Sequence, residues 1–476
     1  MNRLYRTRFH AVVLLGVVLV PFTTAAEVPV GTAKLDVTPT RPVVLTGYGH
    51  RVGEFTAVDT PLWARAIAIG DAMPVVLVAV DNCGVPANVV ADVRKKVDEA
   101  GVFDAKLLIV ASTHTHNAPQ LEGYAPILWE GRDTPEQREH VLEYTKRLTD
   151  QIVEVATAAV RDRKPAELSW GQGKVGFGGN RRNMKDGKWV GFGFAEKAPV
   201  DHSLPAMFAR RDGKVVAVWT NYACHCTSAG SENRVGGDWA GFAAKEIETA
   251  FPGANVVITI GCGADVGPQP TGNLDFSRRH GRALADEVVR LAAGDLKPLK
   301  KAPDVDHRVI QLPLSEVPGR DHWEKEAKRE GFEGRHAQRM LRQLDRDGKL
   351  PTTVPFPITV WKFDADLALV FLAGEMTVDY AVRLKRELDW ERLWINGWCD
   401  DVPCYIPSKR VLAEGGYEPD FSMIYYARPS RFDPAVEDVL VNAVKGYVGD
   451  AFKDAKRAPD ADLFLVPESA LPAMRK

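Results

Sequence analysis

Three histidines and one glutamate in this 476-residue chain stand where their side chains could converge on a metal ion. In chain order they are His114, His116, His225 and Glu375, and each follows an apolar run typical of a buried strand. In open α/β sheets, ligands bind beyond the carboxyl ends of the strands. Neutral imidazole and carboxylate oxygen are good zinc donors, so the pattern predicts a zinc site with one position left for water or substrate.

His114 and His116 are two residues apart, and an extended chain would point both side chains to the same side. The alternative for each of the three histidines, taken singly, is a structural role in which the ring is hydrogen-bonded at a strand end. Their shared position after strands favours the metal site.

Signatures of competing chemistries are absent from the sequence. It has no HExxH segment of a helical metalloprotease, no GxSxG segment of a serine hydrolase, and no P-loop or GxGxxG fingerprint after a strand. His116 is followed by Asn117-Ala118 rather than Asp-His, which disfavours the HxHxDH dinuclear hydrolases.

The elements that must position these residues indicate an α/β fold with a mixed β-sheet core covered by helices. Buried strands are predicted over 74–81, 106–112, 215–220 and 256–260. Amphipathic helices are predicted over 87–97, 138–163, 238–250 and 277–292. This alternation suggests helices on both faces of the strands. Residues 358–372 form two apolar runs joined by a polar turn, which predicts an antiparallel hairpin and hence a mixed sheet.

The composition and the first residues of the chain limit the classes to which the protein can belong. Apolar residues make up 45 % and charged residues 26 %, as in ordinary globular proteins. Lys+Arg at 61 balances Asp+Glu at 63, so nothing favours nucleic acid as a partner. Residues 1–26 combine three arginines, a twelve-residue apolar run and a small-residue cleavage site, which predicts a cleaved signal peptide and a secreted or periplasmic protein.

We expect the chain after the signal peptide to form one domain over 27–450 and a C-terminal tail over 451–476. The highly charged segment 321–349 is predicted to be a helical insertion, solvated or acting as a lid. An exported protein can form disulfides, and Cys399 with Cys404 is the favoured pair.

Six spaced motifs occur in one order along the chain. They are THTH at 113–116 with Pro119, NR at 180–181, YACHCTS at 222–228, DVGP at 265–268, GE at 374–375, and YIP at 405–407 with Tyr417-Glu418. That order resembles the catalytic, N-terminal domain of the neutral/alkaline non-lysosomal ceramidases, and the resemblance extends over roughly residues 28–430, with GYG at 47–49. Members of that family hydrolyse the amide bond of N-acylsphingosines with one zinc ion, a reaction of sphingolipid metabolism.

The resemblance assigns residues as well as a fold. It implies four zinc ligands, namely His114, His225, Glu375 and Tyr405. It also implies three catalytic residues, namely His116, Arg181 and Tyr417. His116 would handle protons or donate to the oxyanion, and Arg181 and Tyr417 would stabilise the developing charge. Arg182 is the weaker substitute for Arg181. The alternatives are a surface cation for Arg181 and simple loop packing for Tyr417.

The chain departs from the family pattern in three places. Gly267 stands where ceramidases carry a serine, so no hydroxyl nucleophile is available there. Cys226 replaces a usual proline. From the length of 476 residues we expect the family's C-terminal immunoglobulin-like domain to be lacking, which weakens the expectation of a long-chain lipid substrate.

These observations lead to two expectations of function. The first is an exported, zinc-dependent amidohydrolase that cleaves an N-acyl amide, or an ester, by zinc-activated water, acting on a small-molecule or lipid substrate with peripheral membrane contact. The second is a non-catalytic, metal-containing descendant of the ceramidase fold that binds a ligand. The sequence does not specify the oligomeric state.

Overall fold

The structure is a computed structural model of the chain, and it describes residues 26–453 and 461–475. The predicted signal peptide at 1–26 lies outside the described residues except for its last residue. Its cleavage and the export of the protein stay predictions.

Strands and helices alternate through most of the described chain. The strands are β1 (Glu27–Asp36), β2 (Ala57–Val58), β3 (Trp63–Ile69), β4 (Val75–Val80), β5 (Leu108–Ser112), β6 (Lys164–Lys174), β7 (Gly178–Asn180), β8 (Arg182–Lys185), β9 (Lys188–Phe192), β10 (Ser203–Arg211), β11 (Lys214–Tyr222), β12 (Arg234–Val235), β13 (Asn255–Ile260), β14 (Val266–Pro268), β15 (Lys297–Leu299), β16 (Asp304–Pro313), β17 (Thr353–Phe363), β18 (Leu367–Leu372), β19 (Glu375–Met376), β20 (Leu393–Asn396) and β21 (Tyr405–Ile406). The α-helices are α1 (Ala87–Ala100), α2 (Pro135–Arg161), α3 (Asp238–Ala250), α4 (Leu274–Ala292), α5 (Arg320–Glu326), α6 (Gly331–Asp347), α7 (Val378–Glu387), α8 (Lys409–Glu414), α9 (Ser422–Tyr425), α10 (Val436–Val448), α11 (Ala461–Phe464) and α12 (Leu471–Met474).

The larger sheet has nine strands in the order β13-β11-β10-β6-β1-β3-β4-β5, with β15 also paired to β6. Its two ends are parallel pairs, β11 with β13 and β4 with β5, while the strands between them are antiparallel. A second sheet has the order β16-β17-β18-β20. The hairpin predicted at 358–372 is its β17–β18 pair. The mixed α/β fold predicted from the sequence is therefore confirmed.

The two sheets pack face to face, and side chains alternate along each strand between this interface and the helices. On β4, Val76, Val78 and Val80 belong to the cluster that includes the helices, whereas Val75, Leu77 and Ala79 belong to the cluster between the sheets. Indole rings fill the centre of the interface, because Trp219 lies 6.0 Å from Trp361 and 5.7 Å from Trp394 between ring centroids.

The prediction that helices cover both faces of one sheet is wrong. Helix α2 packs on β1, β3 and β4, helices α3 and α4 cover the strands beyond them, and α10 covers the second sheet. Each sheet therefore has helices on one face and the other sheet on its opposite face. A strand buried on both sides has the same apolar sequence whether a helix or a sheet covers it, so composition alone did not separate the two arrangements.

The charged segment predicted to be helical at 321–349 contains α5 and α6, which pack around a small core of their own. Trp323, Ala337, Met340 and Leu350 form this core. Phe332 of α6 lies 5.1 Å from Tyr425 between ring centroids, so the segment packs against one wall of the cavity described below.

The end of the chain is packed rather than detached. The backbone amides of Val200 and His202 donate to the carbonyls of Phe464 and Leu463, whose side chains are buried. Among the residues that the structure describes, no helix combines the length and hydropathy required to span a bilayer.

The favoured disulfide between Cys399 and Cys404 is wrong, because both residues are buried free thiols. The Cys399 side chain packs between the sheets and its thiol donates to the Gly397 carbonyl at 3.0 Å, whereas Cys404 packs in the cluster on the helical side. Four residues of separation do not bring together side chains that enter different cores.

Candidate functional site

His114 and His116 leave the end of β5 on a turn rather than on an extended chain. His114 has a φ of +56°, in the left-handed region that side chains other than glycine rarely adopt. The two rings nevertheless meet, with their Nε2 atoms 3.1 Å apart. Such strained backbone is concentrated at functional sites, because the surrounding structure must hold it in place.

His114 and His225 present the same ring nitrogen to one point. Nδ1 of His114 donates to the Cys83 carbonyl at 2.6 Å, and Nδ1 of His225 donates to the Gly263 carbonyl at 2.7 Å. Each bond fixes the tautomer and leaves the Nε2 lone pair free to bind a metal. The two histidines come from different strand ends, after β5 and β11, which are separated by five strands in the order of the larger sheet.

Glu375 and Tyr405 are supplied by the last third of the chain. They face each other as partners in the short parallel pair β19–β21. Glu375 Oε2 lies 3.4 Å from His114 Nε2 and 3.6 Å from His225 Nε2, and the Tyr405 hydroxyl lies 3.5 Å from His225 Nε2. The four predicted zinc ligands are thus gathered in one place.

The donor set fits a divalent cation. The ligand atoms of His114, His225 and Glu375 all lie within 4.8 Å of one another. Glu375 Oε2 is buried and has no hydrogen-bond partner, although its other oxygen accepts a bond from the Tyr426 hydroxyl. A buried carboxylate oxygen without a partner is costly, and a cation there would offset that cost. Two imidazoles with carboxylate and phenol oxygens suit zinc.

The electrostatics of the cluster support the same assignment. Burial lowers the pKa of His114 to about 3 and that of His225 well below its usual value, so both rings are neutral at pH 7 with lone pairs available. Burial raises the pKa of Glu375 to about 7, and a nearby cation would favour its ionised form.

His116 differs from the two clamped histidines. Its Nδ1 is buried without a partner, so it lacks the backbone bond that holds a ligand ring. Its ring packs edge-on against Tyr48, 4.9 Å away between centroids. Burial lowers its pKa well below the usual value, which leaves a neutral imidazole beside the cluster. This arrangement suits a proton carrier better than a ligand.

Arg181 and Arg182 point in different directions, as neighbouring residues on extended chain do. Arg181 lines the cavity, where Nη2 donates to the Tyr405 hydroxyl and Nε to Glu418, both at 3.2 Å. Arg182 is fully buried away from the cavity and bonds to Glu414 and Glu418. The structure thus separates Arg181 at the site from Arg182 in an ion network behind it.

A cavity of about 660 Å³ opens above the cluster. Tyr417 lines it and packs edge-to-face against Tyr405, 5.4 Å away between ring centroids, so the last of the predicted site residues also lies here. Tyr417 begins a π-helical turn over Tyr417–Phe421, a rare conformation that is frequent at functional sites. Six of the seven predicted site residues therefore line one cavity, and the seventh, His225, contacts Glu375 and Tyr405 beneath it.

Gly267 also lines the cavity, and a Cβ atom added there would meet no atom within 4 Å. A serine side chain would fit, so crowding does not explain the glycine. Of the two hydroxyls considered as substitutes, Thr227 lines the cavity, whereas Ser228 is fully buried outside it.

Three site residues were not predicted. Tyr426 bonds to Glu375, its hydroxyl lies 3.1 Å from that of Tyr124, and Tyr124 lies 3.3 Å from Cys83 Sγ. These groups form a chain behind the metal cluster and return to His114 through the Cys83 carbonyl. A tyrosine in a loop carries no periodic signal, so only the position of Tyr426 nine residues after Tyr417 could have pointed to it.

Comparison with known proteins identifies a matching family model and solved structures with a similar fold. Residues 29–258 match the family model described as neutral/alkaline non-lysosomal ceramidase, N-terminal. No curated protein matches the sequence. Two solved structures are similar, each with a TM-score of 0.66 and each covering 91 % of this chain and 77 % of the other. One is a ceramidase complexed with C2, 16 % identical, and the other is neutral ceramidase from Pseudomonas aeruginosa, 18 % identical.

The matched region includes His114, His116, Arg181 and His225 but ends before Glu375. The structural similarity extends over most of the chain, and at these identities it shows a shared fold. The resemblance read from the motifs is confirmed, since residues 29–258 match the model of the neutral/alkaline non-lysosomal ceramidases and the similar structures are ceramidases.

Proposed function

We propose that the protein is an exported zinc-dependent hydrolase that cleaves an amide, or an ester, whose acyl carbonyl binds above His114, His225, Glu375 and Tyr405. The observation that carries the proposal is the unpartnered Glu375 Oε2, buried between two imidazole lone pairs at the floor of an open cavity. A structural metal would need its ligands alone, whereas here a neutral histidine and an arginine also face the same space.

Zinc held by these ligands would polarise the carbonyl and make water a better nucleophile. The chain itself must then move a proton. His116 is neutral, and its Nε2 lies beside the cluster, so it can accept a proton from the attacking water and deliver it to the leaving nitrogen. A positioned base of this kind contributes about 10²–10⁴-fold to the rate.

Arg181 and Tyr417 are placed to stabilise negative charge on the carbonyl oxygen. Arg181 is fixed by Glu418 and by the Tyr405 hydroxyl, so its charge requires no reorganisation during the reaction. Its guanidinium also lies 5.8 Å from the centroid of the Tyr417 ring, which keeps the two groups together. Removing one such donor typically costs about 10²–10³-fold in turnover.

Gly267 supports direct attack by water in this chain. With no side chain at that position, no hydroxyl from residue 267 can carry the acyl group. A lipid amide of the N-acylsphingosine class is the substrate we favour, because the cavity that would hold it has aromatic side chains at Tyr48, Phe192, Phe194 and Tyr425.

Two variants of the chain from residue 27 test the proposal. We expect His225→Ala to lose bound zinc by elemental analysis because a clamped ligand is removed. His116→Ala should keep about one zinc per chain and lose turnover of N-acyl amides by about 10²-fold or more. Equal zinc content in His225→Ala and wild type would show that the ligand set is wrong.

The same measurements separate hydrolysis from ligand binding alone. Zinc binding without turnover across a panel of amides and esters, short and long, would favour the non-catalytic descendant, for which the bare position at Gly267 is the motivating observation. A mature N-terminus at residue 27 in protein collected outside the cytoplasm would test the signal peptide and the secreted or periplasmic location.

A further inference from the structure

The hairpin formed by β8 and β9 exposes apolar side chains at the mouth of the cavity. Val190 is 58 % exposed and Phe192 is 53 % exposed, and Phe421, on the adjoining π-helical turn, is 54 % exposed. Among the described residues, Phe192 and Phe421 are the two exposed phenylalanines. Single exposed apolar residues are common, but a cluster of large ones marks an interaction surface.

Trp189 packs between the rest of the protein and the exposed surface formed by Val190, Phe192 and Phe421. Its ring fills the space beside Gly416, where an added Cβ would lie 2.5 Å from it. It also lies 5.6 Å from Phe192 and 6.1 Å from Phe421 between ring centroids. The exposed side chains are therefore held in place and are not loose at a disordered tip.

The surface continues into the cavity through Phe192. This ring lines the cavity, packs edge-to-face against Tyr417 at 4.9 Å between centroids and lies 5.1 Å from the Arg181 guanidinium. A molecule leaving the exposed surface would thus pass over Phe192 to reach the site without crossing a polar rim on that side.

The charges around the surface favour an anionic partner. Lys185 and Lys188 are exposed at the hairpin turn, and none of the described carboxylates forms an ion pair with either of them. Glu418 binds Arg181, and Asp420 binds Arg431 at 3.3 Å. The exposed Asp186 lies between the two lysines in the turn, which therefore carries one net positive charge. Aromatic and aliphatic side chains flanked by lysines are typical of surfaces that lie in the interface of a bilayer.

We propose that the β8–β9 hairpin and Phe421 dock the protein on a lipid bilayer that contains anionic lipids, with the cavity mouth facing the membrane. Docking in this orientation would deliver a lipid substrate past Phe192; that last part rests on the proposed function, whereas docking itself does not.

Vesicle flotation with the chain from residue 27 tests the docking surface. We expect binding to phosphatidylcholine vesicles containing phosphatidylglycerol, and a loss of about tenfold or more in the partition coefficient for Val190→Glu combined with Phe421→Glu. The matched control is Met73→Glu with Val309→Glu, because those residues are 77 % and 56 % exposed but lie elsewhere. The control should bind as wild type does.

A charge variant and a catalytic variant complete the test. Lys185→Glu with Lys188→Glu should abolish the preference for phosphatidylglycerol, since each lysine contributes about fivefold near an anionic surface. His116→Ala should still float with vesicles, so failure of hydrolysis would leave docking intact.

The outcomes that overturn the proposal are equally specific. They are no flotation of the wild type, equal losses in the hairpin and control variants, or a concentration-dependent dimer that Val190→Glu disrupts. The last would show that the surface binds a second copy of the chain. Turnover of a soluble short-chain amide by the hairpin variant reports that its fold is intact.

Discussion

At the scale of single residues, the geometry of the candidate metal cluster depends on groups outside that cluster. Tyr426 donates to the Glu375 oxygen that faces away from the imidazoles, and Tyr124 lies behind it. These bonds hold the carboxylate so that its second oxygen points at His114 and His225. Partners of this kind orient metal ligands and are worth about 10–100-fold in metal affinity or activity.

We therefore expect Tyr426→Phe to weaken zinc binding by about 10–100-fold, because the buried Glu375 oxygen loses its donor. Competition with a chelator measures the affinity, and kcat/KM with an N-acyl amide measures the catalytic effect. Tyr447→Phe is the control, because that ring is partly buried far from the cavity. An affinity for zinc equal to that of the wild type would mean that the hydroxyl does not position Glu375.

The sequence indicated the candidate residues whose chemistry is distinctive, and it did not indicate the residues that support them. Histidines after apolar runs and a glutamate after a hairpin stand out by type and position. Tyr426 and Tyr124 do not, because a phenol is as common in packing as in hydrogen bonding, and their partners are 51 and 302 residues away. Such pairs become visible only when the fold brings them together.

At the scale of elements, the loop between β1 and β2 determines the space available to the His116 ring. Gly47 has a φ of +92°, and a Cβ atom there would lie 2.5 Å from the His116 ring. The loop also carries Arg51, which donates to the Thr46 and His116 carbonyls. Gly47 thus permits both the turn and the close approach of the imidazole.

We expect Gly47→Ala to lower turnover by at least about tenfold while zinc is retained, because the new methyl group must displace His116. Gly53→Ala is a matched control, since Gly53 also has a positive φ, +72°, but no atom within 4 Å of an added Cβ. Both variants should lose about 1 kcal/mol or more of stability to backbone strain, measured by thermal unfolding. Equal turnover in the two would show that the contact with His116 is unimportant.

The strands and helices were largely predictable, but the way they cover one another was not. Apolar runs such as β4 indicated burial on both faces, and that burial is present. The second cover is a sheet built from residues 304–396, and nothing in β4 itself distinguishes that partner from a helix.

At the scale of the whole molecule, buried histidines make the free energy of unfolding depend on pH. Burial lowers the pKa of His280 to about 4 and that of His336 to about 4, from an unfolded value near 6.5. Between those values the unfolded chain binds more protons than the folded one, so stability falls as the pH falls. Above pH 6.5 both rings are neutral in either state, and the full stability is present.

We expect the free energy of unfolding to fall by about 1–3 kcal/mol for each of these histidines between pH 7 and pH 4. Denaturant unfolding at several pH values measures it. His336→Gln keeps a donor for the Arg428 carbonyl but cannot titrate, so its stability should depend less on pH over this range. An unchanged pH dependence in that variant would show that His336 does not contribute.

Because the chain is synthesised from its N-terminus, the site cannot be completed until its last residues have been made. His114 and His116 belong to the first third of the chain, but Tyr124 and its partner Tyr426 are separated by 302 residues. At a synthesis rate of 5–20 residues per second, about 15–60 s pass between the appearance of the first imidazoles and the arrival of the groups that orient Glu375. For that interval the nascent chain has the histidines of the candidate cluster but not the groups that complete it.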